Sequence, residues 1–101
     1  MSVEIVERPQ RSRFEVYVDS ELAGFADYRH ASDRLSFTHT EVAEKFAGRG
    51  LATALIRTAL DEARNRGAGV LPFCSFVRAF IARNPEYLDL VPADQRERFD
   101  L

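Results

Sequence analysis

Between Phe37 and Ser75 the chain reads FTHTEVAEKFAGRGLATALIRTALDEARNRGAGVLPFCS, and no other stretch limits the possible folds as much. A strand pattern, Phe37 to Val42, runs into a turn with glycines at 48 and 50. That turn opens the longest amphipathic helix in the sequence, expected from Arg49 or Gly50 to Arg66. Ala52, Leu55, Ile56, Ala59 and Ala63 recur at spacings of three and four, and Leu51 and Leu60 widen their stripe. Gly67 is a natural C-terminal stop. Val70-Leu71-Pro72-Phe73 then reads as a short apolar strand. Strand, helix, strand predicts a parallel, right-handed crossover, and Pro72 predicts that pairing is interrupted at that point. Cys74 follows, with Ser75 as the expected N-cap of a second helix that ends at Asn84-Pro85.

The residues upstream supply sheet. Val3–Arg8, Arg13–Val18, Glu21–His30 and Arg34–Val42 alternate in strand fashion, with turns at Asp19-Ser20 and around Ser32. Strict alternation puts Phe14, Val16 and Val18 on one face. It puts Leu22 with Gly24, Ala26 and Tyr28, and Leu35 and Phe37 with His39 and Glu41. Downstream, residues 86–101 carry Tyr87, Leu88, Leu90, Val91 and Phe99, either as a packed cover or as a loose tail. The expectation is one α+β domain over 1–101: a mixed, mostly antiparallel sheet of about five strands, a core over 3–87 and a tail over 88–101.

Length and charge narrow the classes. At 101 residues the chain is long enough for a single modest core without disulfides or metal. A net charge of −2, from 14 basic and 16 acidic side chains, gives no global nucleic-acid signature. No apolar run is long enough to span a bilayer. The N-terminus carries charges where a signal peptide has an apolar core. One cysteine makes no internal disulfide. These readings predict a cytoplasmic protein without nucleic-acid or membrane partners. The exposed edge strand leaves monomer and weak homodimer open.

The helix start is unusual. Helices begin with Ser, Thr, Asp or Asn caps and with acids in the first turn. Ala47-Gly48-Arg49-Gly50-Leu51-Ala52-Thr53 has none of these. Glycines bare the backbone, and Arg49 adds positive charge to the positive end of the dipole. Such a start suits a bound anion such as phosphate; a plain tight turn with hydrated amides is the other reading. The spacing fits neither a Walker loop nor a dinucleotide fingerprint.

Lys45-x-x-Gly48-x-Gly50-x-Ala52 resembles the Gln/Arg-x-x-Gly-x-Gly/Ala signature of the GCN5-related N-acetyltransferases. The wider run, through Pro72-Phe73-Cys74-Ser75-Phe76-Val77 to Asn84-Pro85-Glu86-Tyr87, resembles the minimal members of that family. Lys45 replaces the usual first residue and keeps a positive charge. The resemblance implies acetyl-CoA as cosubstrate. Its pyrophosphate would lie on amides of Phe46, Ala47, Gly48, Arg49, Gly50 and Leu51, with Val42, Lys45, Ala52, Cys74 and Phe80 also in contact. It further implies fourth and fifth strands splayed around the pantetheine arm, and an amine acceptor, small molecule or protein.

The chemistry has three candidate residues. Cys74, at a helix N-terminus, reads either as a nucleophile or as a small buried hydrophobe. The minimal members carry a cysteine at the matching position, a candidate acetyl acceptor. His39 in the fourth strand suits a general base, and Glu41 competes for that role. Larger members place a tyrosine, the acid for the departing thiolate, where this chain has Phe80; water, Cys74 or Tyr87 are the replacements. The sequence thus points to an acetyl-CoA-dependent N-acetyltransferase acting by direct attack or through Cys74. A CoA-binding module without catalysis is the alternative.

Overall fold

The computed structural model describes residues 2–101. Strands β1 (Val3–Arg8), β2 (Arg13–Val18), β3 (Glu21–Ala31), β4 (Arg34–Val42) and β5 (Gly69–Pro72) form one sheet in the order β1-β2-β3-β4-β5. The first four are antiparallel neighbours, and β5 runs parallel to β4. Helix α1 (Leu51–Asn65) makes the crossover, and α2 (Ser75–Arg83) follows β5. Asp19 and Ser20 both have positive φ, 49° and 72°, the backbone twist that suits a two-residue hairpin. Gly67, with φ of 70°, stops α1 as expected.

One hydrophobic core joins the inner face of the sheet to the helices. Leu51, Leu55, Ile56, Ala59, Leu60 and Ala63 of α1 are buried against Phe14, Val16, Val18, Leu35, Phe37 and Val70. Val77, Phe80 and Ile81 add α2. Each fully buried aliphatic or aromatic side chain contributes about 1.5–3 kcal/mol, so this stripe fixes α1 despite its uncapped start. The segment after α2 packs rather than trailing: Tyr87, Leu90, Val91 and Phe99 are buried in a run of short 3-10 turns. Phe99 meets the ring of Phe73 edge-on at 5.1 Å, and Gly69 of the edge strand lies against Pro92.

Two bulges break the strict alternation. Opposite the bond between Val16 and Tyr17, β3 carries Ala23 as an extra residue. Ala23 is therefore buried at 1% exposure while Leu22 stands out at 39%, the reverse of the expected faces. Opposite Asp27 and Tyr28, β4 carries Thr38 as the extra residue. Phe37 still pairs with Tyr28, but His39 now pairs with Asp27, Thr40 with Ala26 and Glu41 with Phe25. Since Ala26 is buried on the inner face, Thr40 joins that face. His39 and Glu41 move to the outer face, away from Phe37, with which they were expected. One inserted residue flips everything beyond it because side chains alternate with period two.

Candidate active site

The glycine turn is built by backbone. Glu44–Phe46 forms a short 3-10 turn; Gly48 and Gly50 then take φ values of 80° and 73°, a region costly for residues with a Cβ. Gly50 is the N-cap of α1, and neither a capping side chain nor a first-turn acid accompanies it. The amides at this end have no side-chain acceptor, and the dipole leaves the end positive. A cavity of about 250 Å³ opens here, lined by Gly48, Gly50, Leu51 and Ala52, with Val42, Phe46 and Ala47 beside them. Thr53 and Phe76 complete it. Neither was expected, because Phe76 at the start of α2 reads as a core residue. Lys45 and Arg49 flank the cavity over the ring of Phe46, at 5.1 and 5.5 Å, and Lys45 also pairs with Glu21 at 2.8 Å.

Below the turn the sheet splits. Pairing between β4 and β5 ends at Phe37 and Pro72. Phe73 N–H donates back to Leu71 at 3.1 Å and Cys74 N–H donates to Phe37 at 2.8 Å, so the chain turns into α2. From Thr38 onward the edge of β4 that faced β5 has no strand beside it among the described residues. Cys74 lies in this fork, 8% exposed, its Sγ 3.3 Å from Thr40 Oγ1. Cys74 itself, not Ser75, holds the N-cap position of α2, and its side chain makes no cap bond. Arg78, one turn on, points toward Asp100 at 3.8 Å.

His39 and Glu41 stand together on the outer side of the fork. His39 Nε2 lies 3.1 Å from Glu41 Oε1, with both side chains more than half exposed, and the imidazole leans on the ring of Phe25 at 6.0 Å. Further along that face is a buried carboxylate that the sequence reading did not single out. Glu15, fully buried, accepts hydrogen bonds from Arg8, Arg11, Arg13 and Tyr17. Burial alone would raise its pKa, but the hydrogen bonds from Tyr17, Arg13 and Arg8 outweigh it and hold the group down to about 2. The alternation of Arg13, Glu15 and Tyr17 carried the signal. Among the described residues, no group of three or more His, Cys, Asp or Glu side chains is placed to hold a metal.

Residues 13–90 match the sequence profile of the GCN5-related N-acetyltransferases. The chain belongs to that family. Over 63 residues it is 43% identical to the streptothricin acetyltransferase of Streptomyces lavendulae, a match covering 60% of this chain and 33% of the relative. The chain therefore spans about a third of that enzyme's length. Among solved structures, a GCN5-like protein from Staphylococcus aureus superposes with a TM-score of 0.68 at 20% identity, covering 88% of this chain and 87% of the other. The ribosomal-protein-alanine N-acetyltransferase of Brucella melitensis biovar Abortus 2308 gives 0.54 at 22% identity, covering 80% and 61%. Both likenesses concern the fold.

Within this GCN5-related fold, Phe80 is not among the residues that line the cavity at the glycine turn. It is 1% exposed, packed 5.7 Å from the ring of Tyr87 and 5.3 Å from the guanidinium of Arg57. α2 turns that side chain toward Arg57 of α1. Tyr87, a candidate acid, has its hydroxyl turned to α1. Its hydroxyl donates to Asp61 of α1 at 2.8 Å, and burial together with that bond raises its pKa.

Proposed function

We propose that the protein is an acetyl-CoA-dependent N-acetyltransferase in which an amine attacks the thioester directly. The observation that carries this reading is the uncapped N-terminus of α1, opening onto a fork between β4 and β5. The cavity lined by Gly48, Gly50 and Leu51 has the bare amides and positive dipole end that an anionic pyrophosphate needs. The unpaired edge of β4 offers backbone groups to an extended pantetheine arm. Val42 and Phe46 supply apolar walls, and Lys45 and Arg49 add charge at the rim. Thr53 and Phe76 join the proposed contacts, and Phe80 leaves them.

At the reacting end, His39 is the base and Glu41 orients it and stabilises its charged form. The pair removes a proton from the acceptor's ammonium group, so that a neutral nitrogen can attack. Acetyl-CoA supplies an activated acyl group: the new C–N bond forms as the C–S bond breaks, and the sulfur leaves as a thiolate that takes up a proton. The amine nitrogen loses its second proton in the same step, so one proton is released overall. Cys74 lies on the other side of β4 from His39, buried and already engaged with Thr40. In this reading it lines the fork rather than carrying the acetyl group.

The test is release of free thiol from acetyl-CoA with a panel of amines, alongside intact-protein mass spectrometry. Turnover that survives Cys74→Ala within a few-fold, with no acetyl adduct on the native protein, is the expected result. An adduct on Cys74 that disappears on adding amine transfers the reaction to a two-step covalent route. CoA binding without turnover for any amine leaves a binding module.

A further inference from the structure

The outer face of the sheet holds a broad depression of about 590 Å³ next to the Thr38 bulge. Asp27 and Arg29 of β3, Arg11 from the turn before β2, and Thr38 itself are in its lining. Asp27 is the register partner of His39, so the depression ends beside the proposed base. Its charges are mixed, and those of Asp27 and Arg29 are unspent. Neither Asp27 nor Arg29 has a side-chain partner among the described residues, although they share one face of β3 only two residues apart. Arg11 donates to Glu15 at 3.2 Å, but Glu15 also receives Arg8 and Arg13. One carboxylate against these guanidinium groups leaves an excess of positive charge on this side.

We propose that this depression receives the acceptor and that the acceptor is an amine bearing its own carboxylate, as a free amino acid does. This rests on the acetyl-transfer reading above. Asp27 holds the ammonium group next to His39, and Arg29, with the spare N–H groups of Arg11, holds the carboxylate. Residues two apart on a strand are about 7 Å apart along it, a span that flexible side chains close around an amine and a carboxylate separated by one or a few carbons. Charge-assisted bonds from a guanidinium to a carboxylate are among the stronger polar contacts. A polyamine would instead meet the positive excess of the arginines, and a peptide N-terminus would offer Arg29 only an uncharged amide. The balanced step is the one given above: the ammonium proton passes to His39, nitrogen bonds to the acyl carbon, and an N-acetyl amino acid and CoA leave with one net proton.

The experiment compares kcat/KM for a panel of amino acids, the matching amino acid amides, and spermidine, by release of free CoA thiol. The best acid is expected to exceed its amide at least about tenfold, the effect of one lost interaction of this class. Arg29→Gln is expected to raise KM for that acid about tenfold and to shrink the acid-to-amide ratio toward one, and Arg29→Lys to recover part of it. Amides or spermidine turning over as well as the acids sinks the acceptor class and leaves acetyl transfer standing. No thiol release with any amine, from protein that binds CoA, overturns acetyl transfer and the acceptor class together.

Discussion

His39 owes its position to a single extra residue. Without the Thr38 bulge it would share the inner face with Phe37, toward the core. With it, His39 and Glu41 face outward at 3.1 Å from one another. Removing the proposed base by His39→Ala is expected to lower kcat by a factor of about 10²–10⁴ while leaving the KM for acetyl-CoA within a few-fold; an unchanged kcat in steady-state assays would show that another group takes the proton. Phe80 gives the converse test. A hydroxyl introduced by Phe80→Tyr would be buried beside Tyr87 and Arg57, where an unmatched polar group costs about 1–3 kcal/mol. The expected outcome is a lower melting temperature and no gain in kcat. A rise in kcat would place this position at the leaving thiolate after all.

At the scale of elements, the turn and α1 divide the labour between binding and stability. Gly50 has φ of 73° and nothing within 4 Å of the position of a Cβ. Gly50→Ala therefore meets no steric clash and loses about 1–2 kcal/mol through its left-handed backbone. The same methyl group projects at the end of α1 where the proposed anion lies, so the KM for acetyl-CoA is expected to rise several-fold while Gly67→Ala, also in a left-handed position, costs similar stability without touching KM. Chemical denaturation and steady-state kinetics on the two variants separate these effects. The stripe on α1 is a plainer matter: Leu55, fully buried, is expected to cost about 2–5 kcal/mol on replacement by Ala.

Over the whole molecule, the outer face is stabilised by charge where the inner face is stabilised by burial. Glu15 is held at about 2, below its ordinary 4.5, chiefly by Tyr17, Arg13 and Arg8 against the opposing effect of burial. On the inner side, at the end of α1, Glu7 is lowered as well, its burial outweighed by hydrogen bonds from Arg66 and Tyr28. A carboxylate whose folded pKa is depressed contributes its full stability above the unfolded value and loses it as pH falls toward the folded value. Stability measured by urea unfolding is thus expected to be level above about pH 5 and to drop between about pH 4.5 and 2. Glu15→Gln should flatten that drop and cost about 1–3 kcal/mol at neutral pH, where Arg8, Arg11 and Arg13 lose their common negative charge and one of its two acceptor oxygens. An unaltered pH profile in the variant would assign the acid sensitivity to other groups.

Much of this protein is legible in the order of its residues. The stripe from Leu51 to Ala63 and the punctuation by Gly67, Pro72 and Pro85 depend on local periodicity and backbone limits, so the sequence determined strand, glycine turn, helix, strand and second helix in place. The missing cap at Gly50 is equally local, and the anion reading of the turn follows from it. Faces beyond the bulges were not legible. An extra residue at Ala23 or Thr38 is a property of two strands together, set by how Val16 and Tyr28 pair across the sheet, and alternation along one strand contains no trace of it. The direction of Phe80 and the gathering of Arg8, Arg11 and Arg13 on Glu15 are likewise decided by packing between segments distant from each other or by turns that redirect the chain. Tertiary structure alone therefore decided which side of β4 carries His39, and with it the side on which the proposed acceptor would meet the fork.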